Sequence, residues 1–62
     1  MNVYKCDNGW EYWYDRSQGG NWWCAKFDAE GNQIGDAQFA YCRKEIIMIV
    51  LGEIEEENGV NA

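Results

Sequence analysis

Histidine is missing from the 62 residues. Its absence removes the usual general base near neutral pH, the commonest metal ligand, and every Ser-His or Cys-His nucleophile pair. Proline is missing too, and no segment repeats or falls to low complexity. Cysteine is scarce and odd in number: Cys6, Cys24 and Cys42, with no C-x-x-C pair. Secreted disulfide scaffolds carry an even set, so a cytoplasmic protein with reduced thiols is expected. A single Cys24–Cys42 bridge beside a free Cys6 is the alternative. The wide cysteine spacing lacks the short pairs of structural zinc sites, and no metal or other cofactor is expected.

Long apolar runs are also absent. The longest, Ile46 to Leu51, falls far short of a bilayer span, and no charged-then-apolar leader opens the chain, so no membrane association is expected. Bases are few: five Lys and Arg stand against eleven Asp and Glu, a net charge of −6 and a pI near 4.3. A phosphate backbone needs a basic face for counterion release, so direct nucleic-acid binding is not expected. A basic partner suits this balance. The plainer role for the excess charge is to keep an aromatic-rich chain soluble.

Aromatics are what the chain has in surplus. Four Trp, four Tyr and two Phe all lie between Tyr4 and Tyr41. Each buried ring removes about 150–250 Å² from water. A domain this small buries only about 60% of its unfolded surface, so half the rings suffice for a core. The rest are available to a partner.

The strongest local signal runs from Asn21 to Cys42, two strands joined at Glu30-Gly31-Asn32, where Gly and Asn tolerate positive φ. The expected register sets Lys26 opposite Asp36, Ala25 opposite Ala37 and Trp23 opposite Phe39. Trp23, Ala25, Phe27, Ala37, Phe39 and Tyr41 then share one face, with Trp22, Cys24, Lys26, Asp36, Gln38 and Ala40 on the other. Asn8-Gly9 reads as a two-residue turn, pairing Lys5 with Tyr12 and Tyr4 with Trp13. Ser17 to Gly20 is a second turn by composition.

Arg43 to Glu57 predicts a helix whose apolar stripe is Ile46, Ile47, Val50, Leu51 and Ile54, with Met48 and Ile49 off it. A buried strand over Ile46–Leu51 is the alternative. Asn58-Gly59 is a natural stop, and Met1 and residues 58–62 are expected to fray. The fold class is therefore α+β. A three- to four-stranded antiparallel meander (strands about 2–7, 10–16, 21–28 and 33–42) carries one C-terminal helix (43–57) on one face, in a single domain spanning 1–62. Which face the helix covers stays open, because both carry aromatics.

The helix is charged against its macrodipole: Arg43 and Lys44 begin it, while Glu53, Glu55, Glu56 and Glu57 end it. Each conflict costs a few tenths of a kcal/mol. Either the last turn is frayed and solvated or the acids serve a partner.

Catalysis finds little support, and no enzyme is expected. Asp28 with Glu30 or Asp36 gives paired carboxylates, but exposed acids on a hairpin stay ionised. Asp28, Glu30 and Asn32 alternate as in part of a calcium loop without its full frame. Base stacking on Tyr4, Trp13 and Trp22 lacks the positive groove such platforms use. Protein binding fits better, since Trp anchors interfaces and an acidic rim selects basic partners. The candidate site is Trp13 and Trp22 on the outer sheet face, ringed by Glu11, Asp15, Asp28 and Asp36. The Glu53–Glu57 cluster is a second.

In size, charge and aromatic content the whole chain resembles the small acidic inhibitors encoded by phages and mobile elements, anti-CRISPR proteins among them. The resemblance implies a stoichiometric inhibitor, monomeric or weakly dimeric, in the bacterial cytoplasm. It would block a basic nucleic-acid-binding surface of a host defence or nucleic-acid-processing complex, with carboxylates standing in for phosphates. The acids implied are Asp15, Asp28, Glu30, Asp36, Glu53, Glu55, Glu56 and Glu57. Helix neighbours at i, i+3 and i, i+4 stand about 5–6 Å apart, which lets Glu53, Glu56 and Glu57 imitate a short phosphate run. A small adaptor or homo-oligomer using its surface aromatics is the alternative.

Overall fold

The computed structural model describes residues 2–59. Four strands, β1 (Val3–Lys5), β2 (Trp10–Asp15), β3 (Asn21–Phe27) and β4 (Gln33–Ala40), precede one helix, α1 (Arg43–Asn58). The strands pair antiparallel in chain order, and α1 lies across one face, so the fold is α+β as the patterning predicts. The fraying expected of Met1 and of 60–62 lies outside the described residues. Asn58 and Gly59, assigned to the same tail, are instead the last helical residue and its left-handed cap.

The first hairpin departs from expectation by one residue. Val3 pairs with Trp13, Tyr4 with Tyr12 and Lys5 with Glu11. The Cys6 amide donates to the Trp10 carbonyl at 2.7 Å, which closes a loop of Asp7, Asn8 and Gly9 instead of Asn8-Gly9 alone. Asn8 and Gly9 both take positive φ, 62° and 84°. At Gly9 a side chain is also excluded by space, since a Cβ would stand 2.3 Å from the Phe27 carbonyl oxygen. The extra loop residue shortens β1 and brings Tyr4 and Tyr12 onto one face, their rings stacked 5.0 Å apart.

The central hairpin keeps the expected register at its open end and loses it near the loop. Trp23 opposes Phe39, but Lys26 opposes Ile34 instead of Asp36, with a shift between Cys24 and Lys26. The cause is Asp28. Its carboxylate accepts the Glu30 amide at 3.0 Å and the Asn32 amide at 2.8 Å, and its own amide donates to the Asn32 carbonyl. The loop is therefore Ala29 to Gly31, one residue earlier than expected, with Gly31 in the left-handed region at φ 89°. Opposite Ala25, β4 has surplus chain, which it absorbs in a bulge entered at Gly35 (φ 77°).

Ile46, Val50 and Ile54 are the buried row of α1 and pack on Trp10, Tyr12, Cys24 and Ala40. Cys24 and Ala40 are small, which lets the helix axis approach the sheet closely. Leu51, expected on the buried stripe, is 52% exposed, whereas Ile49, expected off it, packs against the core. At about 100° per residue both sit near 100° from Val50, on opposite flanks. The Ile49 flank is the one that meets the sheet beside Glu53, which accepts the Gln38 side-chain amide at 3.0 Å, while the Leu51 flank faces solvent. Met48 is exposed, as its position predicts.

Candidate protein-binding surface

The face opposite the helix carries one row across all four strands: Val3, Trp13, Trp23 and Phe39. Period-two alternation adds Phe27 from the same strand as Trp23. Trp13 lies 6.4 Å from Phe27, Trp23 lies 5.4 Å from Phe39, and Phe39 meets Tyr41 edge-on at 5.6 Å. Ala25 sits among these rings fully buried. No other element packs over this surface among the described residues, so the rings shield one another and β3 while their outer sides meet solvent. The Trp23 indole N–H is buried without a hydrogen-bond partner.

Of the two aromatic anchors predicted for the site, one is displaced. Trp22 does not join Trp13, because Trp13 pairs with Trp23 and Trp22 pairs with Tyr14. Adjacent residues of a strand point to opposite faces. Trp22 therefore lies on the helix side, packed on Tyr14 at 5.4 Å, Tyr12 at 6.1 Å and Tyr4 at 6.5 Å. Trp23 takes its place in the aromatic row. The signal for it was present, since its expected pairing with Phe39 already put the two on one face.

The predicted acids divide by what holds them. Asp15 accepts the Ser17 amide at 3.0 Å and hydroxyl at 2.6 Å, Asp28 closes the central loop, and Glu53 accepts Gln38. Glu57 accepts the Trp10 indole N–H at 3.1 Å and the Asn8 amide at 3.1 Å, and pairs with Lys26 at 3.1 Å. Desolvation pushes the Glu57 carboxyl up, but the hydrogen bonds from Asn8, Lys26 and Trp10 and the Lys26 charge outweigh it and hold the group below its ordinary range. Glu11, Glu30, Asp36, Glu55 and Glu56 make no side-chain hydrogen bond or ion pair among the described residues. Of the proposed run Glu53, Glu56 and Glu57, only Glu56 is without an internal partner among the described residues.

The charges are also segregated. Lys5 is on β1, Arg43 lies 5.4 Å above the Tyr4 ring, Arg16 lines a depression of about 430 Å³ with Asn2, Tyr4 and Tyr14, and Lys44 follows Arg43 on α1. Lys26 is bound to Glu57. Along β4 the arrangement is reversed: Asp36 lies on the strand, and Glu45, Glu53 and Glu56 recur with Ile49 along the adjoining flank of α1.

The cysteines are three free thiols, Cys24 buried and Cys42 exposed. Burial pushes the Cys24 thiol up to about 11; the Gln38 amide partly opposes this, and Glu53 and Cys6 add to it. Burial and then Asp7 raise Cys6. Neither is a thiolate at neutral pH. No three Cys, Asp or Glu side chains gather as a metal site among the described residues, and no described helix is long and apolar enough to cross a membrane.

No family model, curated protein or solved structure matches this chain.

Proposed function

We propose that this protein is a non-catalytic binding module that docks on a basic protein surface through the uncovered aromatic face of its sheet. The observation that carries this reading is the row Trp13, Trp23, Phe39 with Phe27 beside it, on the sheet face that no other element covers among the described residues. Tryptophan and its aromatic neighbours supply binding energy from a small area once water is excluded. The net charge of −6 favours approach to a positive partner and sets like-charged proteins aside.

A basic nucleic-acid-binding surface of a host defence or nucleic-acid-processing complex is the partner this charge and size suit, and occupancy would inhibit it. Glu11 on the aromatic face supports this form of the reading, as do Glu30, Asp36, Glu55 and Glu56. Each carboxylate is unspent inside the fold. Three free thiols support a reducing cytoplasm as the setting.

The test is capture by the tagged protein from bacterial lysate at low salt and again near 0.5 M salt, with Trp13→Ala and Trp23→Ala run beside it. Recovery of a basic nucleic-acid-binding protein that DNA displaces, weakened roughly thirtyfold by either substitution, is the expected result. Recovery of the protein alone as a salt-resistant oligomer would overturn the inhibitor and leave a self-associating module. Unchanged capture by both folded variants would overturn the aromatic face.

A further inference from the structure

β4 is the longer free edge of the sheet. Exposed edges are commonly blunted by charges, Pro or bulges; the bulge and Asp36 guard the middle of Gln33–Ala40, whereas Gln38–Ala40 holds no charge, Pro or bulge. Its bulge lies opposite Ala25, between the Cys24–Gln38 and Lys26–Ile34 pairs, which leaves Gln38–Ala40 regular and, among the described residues, unpaired on its outer side. Beside that stretch is an apolar groove of about 460 Å³ between the strand end and α1, lined by Phe39, Ala40, Tyr41, Glu45, Met48 and Ile49. Glu45, Glu53 and Glu56 run along the helix flank above it, and no base is on the strand.

We infer that β4 receives an extended basic segment of a partner protein as a fifth strand. The inference rests on the reading of the chain as a protein-binding module and specifies a second contact, at the sheet edge. An added strand lies about 4.8 Å from β4 and turns alternate side chains to opposite faces. On the outer face they meet Phe39 and continue the aromatic row. On the helix face they lie along Met48 and Ile49 and end near Glu45, Glu53 and Glu56. A segment alternating apolar residues with Lys or Arg satisfies both sides: the apolar residues extend the row, and the long basic stems cover the groove with their charges at the carboxylates.

Charge selects this occupant over a second copy. The corresponding edge on another molecule is either its own acidic β4 or β1, which spans only Val3–Lys5, and each copy brings a net charge of −6.

The probe is an acetylated and amidated peptide of about seven alternating Lys and Val residues, long enough to span Gln38–Ala40 and reach past both of its ends. It is titrated into the isotope-labelled full chain while amide resonances are followed. The expected shifts map to Ala37–Tyr41, Met48 and Ile49, and affinity falls roughly tenfold between about 0.05 M and 0.5 M salt. Methylating alternate peptide nitrogens on the pairing edge keeps the side chains and charge and removes the strand hydrogen bonds, so it should abolish the shifts. Glu45→Gln, which keeps an acceptor for the Tyr41 amide now bonded to Glu45 at 3.3 Å, with Glu56→Lys, both exposed, should weaken binding roughly tenfold with the amide dispersion retained.

No shift at millimolar peptide, or equal binding by the methylated peptide, would overturn the inference. So would shifts confined to Trp13, Trp23 and Phe27. A dimer of the protein alone that the peptide fails to dissociate would assign β4 to a second copy and overturn it as well. Trp13→Ala separates the two readings, because Trp13 is on β2, away from this edge. Peptide binding retained while capture is lost supports both sites. Capture that persists unweakened in Glu45→Gln, Glu56→Lys, although peptide binding is lost, would overturn the edge as a partner contact and leave the aromatic face standing.

Discussion

The Trp10 indole N–H donates to the Glu57 carboxylate at 3.1 Å, tying the last turn of α1 to the start of β2 across 47 positions of chain. Asn8 and Lys26 reach the same carboxylate. A glutamate that opposes the helix dipole thus fastens the helix end to the first hairpin and to β3. Its neighbours Glu55 and Glu56 have no such role.

Glu57→Gln should therefore lower the thermal midpoint clearly, while Glu55→Gln and Glu56→Gln leave it nearly unchanged. The carboxyl is held below its ordinary range in the folded state, so its stabilisation is complete above the unfolded-state value, about 4.3, and is lost as pH falls through the lower folded value. Denaturant unfolding against pH checks this. The acid limb should be shallower in Glu57→Gln than in the parent.

At the alkaline end Cys24 acts in the other direction. Its thiol rises from 9.0 to about 11 in the folded protein, so the unfolded chain releases the proton first. Stability contributed by the neutral thiol is present below pH 9.0 and declines as pH rises toward about 11. Cys24→Ala should flatten this part of the profile, and the difference between the two proteins isolates the thiol.

The buried row of α1 predicts an asymmetry between isoleucine and leucine. Ile46→Ala should cost about 2–5 kcal/mol, the range for a fully buried aliphatic truncation. Leu51→Ala, on the exposed flank, should stay within about 0.5 kcal/mol. Equal losses would place Leu51 back on the packed stripe.

Gly9 and Gly31 both take positive φ, but only Gly9 is also hemmed in. A Cβ there meets the Phe27 carbonyl oxygen, while nothing lies near one on Gly31. Gly31→Asn should be tolerated, since Asn enters the left-handed region more readily than other side chains. Gly9→Ala should displace the first hairpin and lower the unfolding midpoint further, with loss of the Tyr4–Tyr12 contact visible as altered near-UV circular dichroism.

Much of the fold was legible because its signals are local. Alternation along Trp22–Phe27 and Gln38–Tyr41 sorted the two faces of β3 and β4 correctly, and the helix stopped where Asn58-Gly59 said it would. The loops were placed one residue out, for a reason that spacing does not carry. The Asp28 carboxylate and the Cys6 amide each select a loop by a hydrogen bond, and the candidate loops differ little in composition. The site turns on a different pairing: alternation sets Trp22 and Trp23 on opposite faces, but which of them meets Trp13 depends on the β2–β3 register across the turn at 16–20, whose composition does not fix it.

The sequence by itself determined an α+β meander with a C-terminal helix, since turn chemistry, period-two alternation and an aliphatic row every fourth residue act within a few residues. The tertiary structure decided which face the helix covers and which acids are spent. Both sheet faces are aromatic, so hydrophobicity cannot choose between them. Shape can: Cys24 and Ala40 leave room for Ile46 and Val50, while Trp13, Trp23, Phe27 and Phe39 fill the opposite face. Once α1 settles there, Glu53 and Glu57 find Gln38, Trp10 and Lys26, and the remaining carboxylates and the aromatic row are left to solvent or to a partner.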